Sequence, residues 1–536
     1  MNQRIGRSSL LLGSGTVVSR VLGFISAVVL ARTVGLVGSG ADAFALANQL
    51  PNSVYVIVAG GVLSSVFVPQ IVKAQLNDDG GAAYINRLLT LGLSVVLIVT
   101  VLAVAAAPLL VRVYTQHSTD GSGSGFGPGE LGLATAFAWW CLPQVFFYAL
   151  YSLVGEVLNA KGVFGPFTWS PALNNIVAIA GMLWFGAEFT GNVSVASDWS
   201  GTEIAILAGT ATLGVVVQSV ALFSFLGRAG IRFRLDFRFR GVGLGTTTKL
   251  AAWTFGMILV TQIAGVAQSN IASLATAYDE PGLAVLRFGW LVFMLPHSVI
   301  TVSLGTAYFT RMSTDIRDGR WDQLGLDIRE SLSRISMFMV ISSGVLWLTS
   351  AYVAGVFATQ TGGGMASVIA LFAIGLVPFG IAFVLQRIFF ALEDTRTPFL
   401  VQLAQSGIFI LGALWVGTGP VENIANGIAL SMTASILFQS IVMAVLLRRR
   451  LGELGGRALA LSLMRFLGAV VPALGVGIVI RNALPDTGGS LLASVAFAAL
   501  IGLGMGLVYQ FTLLVFRDPS ATALIAPLLR RGNKRP

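Results

Sequence analysis

Fourteen apolar stretches of roughly bilayer-spanning length follow one another along the chain, and nothing else in the sequence constrains the fold as strongly. About 20 consecutive apolar residues cross the hydrocarbon core as a helix, and only helices or closed barrels do so with every backbone group hydrogen-bonded. The expected spans are 9 to 34, 43 to 73, 87 to 115, 131 to 157, 166 to 187, 203 to 227, 248 to 277, 283 to 310, 334 to 358, 366 to 391, 398 to 418, 427 to 447, 464 to 482 and 489 to 516. With 55% hydrophobic and only 10% charged residues among 536, the chain lies outside the range of soluble domains, where about a quarter of residues are charged. The expected class is an all-α polytopic membrane protein.

Charge then gives topology. One set of connections carries Arg4 and Arg7, Lys73 and Arg87, Lys161, the run RAGIRFRLDFRFR from Arg228, the segment RMSTDIRDGRWDQLGLDIRESLSR, Arg396, the triplet Arg448 to Arg450 and the tail RRGNKRP. The alternate set, which includes TQHSTDGSGSGFGPGE and GTGPVENIAN, is nearly free of Lys and Arg. The positive-inside rule makes the first set cytoplasmic, and an even number of spans then puts both termini inside. The net charge of +10 is spread over these short loops without a dense basic tract interleaved with aromatics, so nucleic acid is not an expected partner. Cys141 is the only cysteine and lies in an apolar run, which excludes an internal disulfide and a cysteine metal cluster. Residues 315 to 334 and 518 to 531 read as amphipathic segments resting on the cytoplasmic surface.

A repeat organises the spans. Leu50, Pro51 and Asn52, with Gly60 nine residues after the proline, are echoed by Leu295, Pro296 and His297 with Gly305, an offset of 245. Asp79-Gly80 recurs as Asp318-Gly319, and Pro143 with Pro166 recurs as Pro378 with Pro398. The offset contains six spans, so both copies enter the membrane in the same direction, as in parallel repeats related by an axis along the membrane normal. The expected layout is an N-lobe over 1–227, a basic cytoplasmic linker over 228–247, a C-lobe over 248–447, an extra helix pair over 448–516 and a basic tail over 517–536.

The chemistry within these spans is sparse. There is no Walker loop, no HExxH, and the two histidines, His117 and His297, are far apart, so neither an enzyme nor a metal site is expected. Arg20 stands inside the first span, where a guanidinium costs from about 2.5 to more than 10 kcal/mol unless it faces protein or a water-filled cavity. It either orients neighbouring helices or lines a cavity. Arg287 occupies the second helix of the second lobe. Arginine grips phosphate through two parallel hydrogen bonds and keeps its charge in a dry site, so a pair of cavity arginines suits an anionic, phosphorylated substrate. Asp42, Asn52, Gln268, Asn270, Arg387, Gln402 and Gln405 complete the polar set.

The strings SRVLGF at 19–24, ADAF at 41–44, LPN at 50–52, FVP at 67–69, LPHSVITVSLGTAYF at 295–309 and FFALEDTRTP at 389–398 together resemble the MurJ (MviN) family of the multidrug/oligosaccharidyl-lipid/polysaccharide exporter superfamily, in the form found in actinobacteria. The resemblance covers nearly the whole chain. It implies a flippase for lipid II, the undecaprenyl-diphosphate-linked precursor of peptidoglycan, working by alternating access in the bacterial plasma membrane. Cavity arginines would hold the diphosphate, with no cofactor beyond a coupling ion. Arg20 and Asp42 match the family's arginine and aspartate. Many members carry further arginines where this chain has Ser26 and Tyr55, and one where it has Leu291; Arg287 lies four residues before Leu291, about one helical turn away. The implied substrate-binding set is therefore Arg20, Ser26, Asp42, Asn52, Tyr55 and Arg287. An acidic residue that often serves sodium is replaced by Gln268 or Asn270, which with Asp394 are the candidate ion-coupling positions.

The expected partners are lipid II or a related polyprenyl-diphosphate glycolipid, membrane lipids and proteins of cell-wall synthesis. The alternatives are a flippase for another such glycolipid, an exporter of the same superfamily, a membrane scaffold for cell-wall enzymes, and an intramembrane glycosyltransferase, for which Asp198 and Asp486 are the available carboxylates.

Overall fold

A computed structural model of the chain describes residues 2–60, 81–116, 125–163, 165–189, 194–239, 249–358, 364–452 and 456–522. Among them twelve helices are long and apolar enough to cross a membrane, and a bent pair, Met365–Ile374 with Leu376–Ala391 at 47°, makes thirteen. The protein is a multi-pass, all-helical membrane protein. These thirteen coincide with all the expected spans but the second, whose residues 61 to 73 lie outside the described set, as do Phe67 to Pro69, Lys73, Asp79, Gly80, His117 and Arg240.

The chain packs as two compact units, Met1–Ala284 and Val285–Pro536. The first contains α1 (Asn2–Val34), α2 (Ser39–Val58), α3 (Ala82–Ala105), α4 (Ala107–Tyr114), α5 (Pro128–Cys141), α6 (Gln144–Ala160), α7 (Gly165–Glu188), α8 (Gly201–Leu226) and α9 (Lys249–Ala272). Its core joins Leu88, Leu89 and Val96 of α3 to Val145, Leu153, Val154 and Leu158 of α6 and Leu222 and Leu226 of α8. Helix starts follow local chemistry. Ser200 and Glu203 form a capping box on α8, and Pro166 stands at the second residue of α7, where its missing N–H has no helical partner to lose.

Lipid tails are as apolar as leucine, so membrane helices associate mainly through close backbone approach at small residues. Helices α7 and α8 show it: a methyl added to Gly214 would lie 2.8 Å from the Asn174 backbone oxygen. Gly214→Val is therefore expected to destabilise the first unit by about 1–3 kcal/mol, the usual cost of overpacking a tight contact. Unfolding in a denaturing detergent series measures it; an unchanged midpoint would show that α7 and α8 separate freely.

The second unit contains most of α10 (Leu283–Pro296), a π-helical turn (His297–Thr301), α11 (Val302–Arg317), α12 (Trp321–Phe357), α13 (Met365–Ile374), α14 (Leu376–Ala391), α15 (Arg396–Val416), α16 (Ile424–Leu451), α17 (Gly456–Ala483) and α18 (Leu491–Val515). Helix α12 is central: Met337, Val340 and Leu348 pack against Phe466 and Val470 of α17 and Met505, Tyr509 and Leu513 of α18, and the Tyr509 hydroxyl donates to the Met337 carbonyl at 2.9 Å. The outer face of α18 exposes Leu492, Leu503, Leu507 and Phe511, as a helix bathed in lipid tails does.

Matching prolines occupy matching places. Pro143 sits in the break between α5 and α6, Pro378 in the first turn after the break between α13 and α14, and Pro398 near the start of α15, as Pro166 is in α7.

Residues 315 to 334, expected to rest on the membrane surface, are divided between the end of α11 and the start of α12. Helix α12 runs unbroken for 37 residues, about 55 Å, so its first part is an extension of a span that outruns the roughly 30 Å hydrocarbon core. Its apolar face, with Leu324 and Ile328, is buried, and Arg311 of α11 bonds Asp327 at 2.7 Å. Trp321 and Leu326 of the same stretch are exposed.

Candidate functional site

In the first unit, α1 is fastened to α7 along a stripe of small residues one turn apart. Gly15 abuts the Trp169 indole, the Ser19 carbonyl accepts from Asn175 Nδ2 at 3.1 Å, and Gly23 faces the same Asn175 amide. Because Arg20 follows Ser19, it points off this seam and is exposed. Among the described residues no carboxylate lies within ion-pair distance of its guanidinium. Ser26, two turns on, is half-buried. The stripe escaped the sequence reading, although its i, i+4 spacing of Gly, Ser and Gly was visible.

Asp42 is placed very differently from Arg20. Its carboxylate is 0% exposed, accepts the Thr276 hydroxyl at 2.6 Å on Oδ2 and accepts the Ala284 N–H at 2.8 Å on Oδ1. Ala284 is the second residue of α10, so Asp42 supplies from α2 an acceptor that the first turn of α10 lacks within its own chain segment. Gly282 leaves room for it: a methyl there would stand 2.5 Å from Oδ2. Asn52 is exposed beside the buried Pro51, and Tyr55, one turn later, is half-buried with its ring 5.9 Å from that of Tyr148. Of the candidate coupling residues on α9, Asn270 donates from Nδ2 to the Val113 carbonyl of α4 at 3.3 Å, and Gln268 is half-buried.

In the second unit, Arg287 is half-buried on α10 between the buried Leu286 and Phe288, and Leu291 one turn later is also half-buried. His297 opens the π turn, buried with its ring 4.4 Å from Phe379 and 5.2 Å from Phe383. Arg387 lies over the Phe383 ring at 5.0 Å and the Phe309 ring at 5.4 Å. Asp394 accepts the Thr397 N–H at 3.0 Å and its hydroxyl at 2.8 Å, and pairs with Arg450. Burial alone would raise its pKa, yet the Thr397 bonds and the Arg450 charge hold it below the ordinary carboxylate range. This carboxylate thus secures the start of α15.

Helices α15 and α16 share a polar ladder that the sequence only hinted at. Gln439 Nε2 donates to Gln402 Oε1 at 2.9 Å, Gln402 Nε2 to Gln405 Oε1 at 2.8 Å, and Gln405 Nε2 to the Ser435 hydroxyl at 2.8 Å. Gln402 and Gln405 stood out as amides in an apolar helix; their partner Gln439 did not. Among the described residues no group of three His, Cys, Asp or Glu side chains is arranged to hold a metal ion.

The family model for "Lipid II flippase MurJ" matches residues 30–515, most of the chain. The chain belongs to the MurJ lipid II flippase family. A probable lipid II flippase MurJ of Rhizobium tropici is 26% identical over 455 residues, 82% of this chain and 80% of the relative. One of Haemophilus influenzae is 24% identical over 454 residues, 80% of this chain and 84% of the relative. The fold is similar to that of a solved lipid II flippase MurJ in an inward closed conformation, at a TM-score of 0.70 and 18% identity over 94% of this chain and 100% of the other. It is also similar to an inward-facing multidrug resistance MATE transporter, at 0.62 and 15% identity over 82% and 96%. The resemblance read from SRVLGF, ADAF and the two LP motifs therefore holds. In this MurJ-family chain, positions 26, 55 and 291 are the uncharged Ser26, Tyr55 and Leu291.

Proposed function

We propose that the chain translocates lipid II from the inner to the outer leaflet of a bacterial plasma membrane by alternating access, with both termini on the cytoplasmic side. The guanidinium of Arg20 holds the diphosphate while the prenyl tail stays in lipid. The observation that carries this reading is the family match across residues 30–515, joined to a membrane arginine at position 20 that the first unit leaves exposed. A structural arginine would be expected to have a carboxylate or carbonyl partner, since an unpaired charge in a membrane is expensive. An anionic ligand supplies that partner.

Expression of the chain in a bacterium depleted of its resident lipid II flippase tests the proposal. Growth is expected to be restored and lipid-linked precursor to stop accumulating on the inner face. Failure of a stably expressed chain to do either would overturn it.

The uncharged Ser26, Tyr55 and Leu291 favour one second reading, a flippase for another polyprenyl-diphosphate glycan that needs fewer cations. Competition between lipid II and an undecaprenyl-diphosphate carrying an unrelated glycan, for binding to the purified chain, separates the two.

A further inference from the structure

Helix α8 ends at Leu226, turns through Gly230 at φ 76°, and the chain then runs without helix or strand over residues 231–239. This segment is fixed along the start of α3. Asn86 Nδ2 donates to the Arg232 carbonyl at 3.1 Å and its Oδ1 accepts the Arg234 N–H at 3.3 Å; one turn further, Thr90 Oγ1 accepts the Asp236 N–H at 3.0 Å. Arg87 adds an ion pair to Asp236 at 3.1 Å, and Arg238 a second at 2.9 Å. These two guanidiniums hold the Asp236 carboxyl well below the usual carboxylate range, the Arg238 hydrogen bonds being the largest influence.

Along the segment, apolar residues alternate in sequence with charged ones, three arginines and Asp236. Ile231 is buried in the core and Phe233 packs on Phe223, but beyond them Leu235 at 64%, Phe237 at 63% and Phe239 at 37% are exposed. Arg232, Arg234 and Arg238 are exposed as well. The level of this strap is set by its anchors. Arg87 is the last charged residue before the apolar run of α3, and from Asn86 to Thr90 the helix rises about 6 Å, the depth of one headgroup layer. An apolar cluster at that level has hydrocarbon beside it, and the arginines have headgroups.

We propose that residues 231–239 form an interfacial strap that binds anionic phospholipid, with Arg232 and Arg234 on headgroup phosphates and Leu235, Phe237 and Phe239 sunk into the leaflet. Phosphate recognition by arginine forks and attraction of basic segments to anionic leaflets supply the affinity. The bonds to α3 hold the strap in place beforehand, so little ordering accompanies lipid contact. The inference is independent of the transported substrate.

The test uses the full chain with Cys141, its only and buried cysteine, changed to Ala, and a nitroxide label on Phe237→Cys or, separately, Leu235→Cys. In vesicles of phosphatidylcholine with phosphatidylglycerol, the labels are expected to be reached by oxygen and shielded from a water-soluble nickel chelate. Adding R232Q and R234Q, which leaves the backbone bonds to Asn86 in place, should move both labels back toward water in these vesicles and change little in pure phosphatidylcholine. Each arginine is expected to alter the leaflet-to-water partition about fivefold. Free access of the nickel chelate in both vesicle types would overturn the proposal. So would dipolar broadening between labels that vanishes on dilution with unlabelled chain, since that would place a second copy on the strap.

Discussion

Arg20→Ala is expected to abolish the ability of the chain to replace a resident lipid II flippase while leaving the folded protein as stable as before. The two halves of this expectation come from one geometry. The seam between α1 and α7 is made by Gly15, Ser19 and Gly23, and Arg20 projects away from it, so removing the guanidinium deletes no packing and breaks no ion pair among the described residues. Stability should stay within about 0.5 kcal/mol, as for other substitutions outside a packed seam. Hydrogen bonds to a charged group are worth about 1.5–3 kcal/mol, so lipid II binding to the purified variant should weaken roughly 10- to 150-fold. Arg20→Lys should recover part of the affinity, since the charge remains and the two-pronged geometry is lost. Growth support by Arg20→Ala at normal expression would sink the assignment.

The second large effect runs the other way, from structure to stability. In Asp42→Ala the Thr276 hydroxyl and the Ala284 N–H lose their acceptor in a place with no solvent. Each buried donor left alone costs about 1–3 kcal/mol, so for the two a loss of about 2–6 kcal/mol is expected. Asp42→Asn, which retains an acceptor oxygen, should lose less. Thr276→Val should cost about 1–2 kcal/mol, and the double variant should fall well short of the sum, because the two side chains form one unit. Thermal unfolding of detergent-purified variants reads all four. Additive effects would mean that Asp42 and Thr276 do not depend on each other.

This pair also marks where sequence reading stops. Apolar length is a local property, so thirteen spans could be located from the sequence; Pro166 and Pro398, read there only as marks of the repeat, stand at two helix starts. Asp42 was singled out as a site residue, but its partners stand 234 and 242 residues away, and no local pattern connects Asp42 to Thr276 or to the first turn of α10. In the segment 315 to 334 the amphipathic spacing suits a membrane surface and a neighbouring helix equally; Leu324 and Ile328 are buried, while Trp321 and Leu326 are exposed. Gln402 and Gln405 were visible as oddities, whereas Gln439 became meaningful only beside them.

That amide ladder has a mechanical consequence. A seam of leucines lets one helix slide on another by a turn with new apolar contacts replacing the old. A slide of α15 along α16 would instead pull Gln402 off Gln439 and Gln405 off Ser435 at once, stranding mostly buried amides with no water to receive them. Interhelical bonds of this kind contribute only about 0.6 kcal/mol each when made, yet an unmade one costs more, so the ladder acts as a ratchet tooth against shear. Bending within the second unit is thereby directed to places without such teeth: the π turn after Pro296, where the helical hydrogen-bond register already shifts, and the 47° bend between α13 and α14.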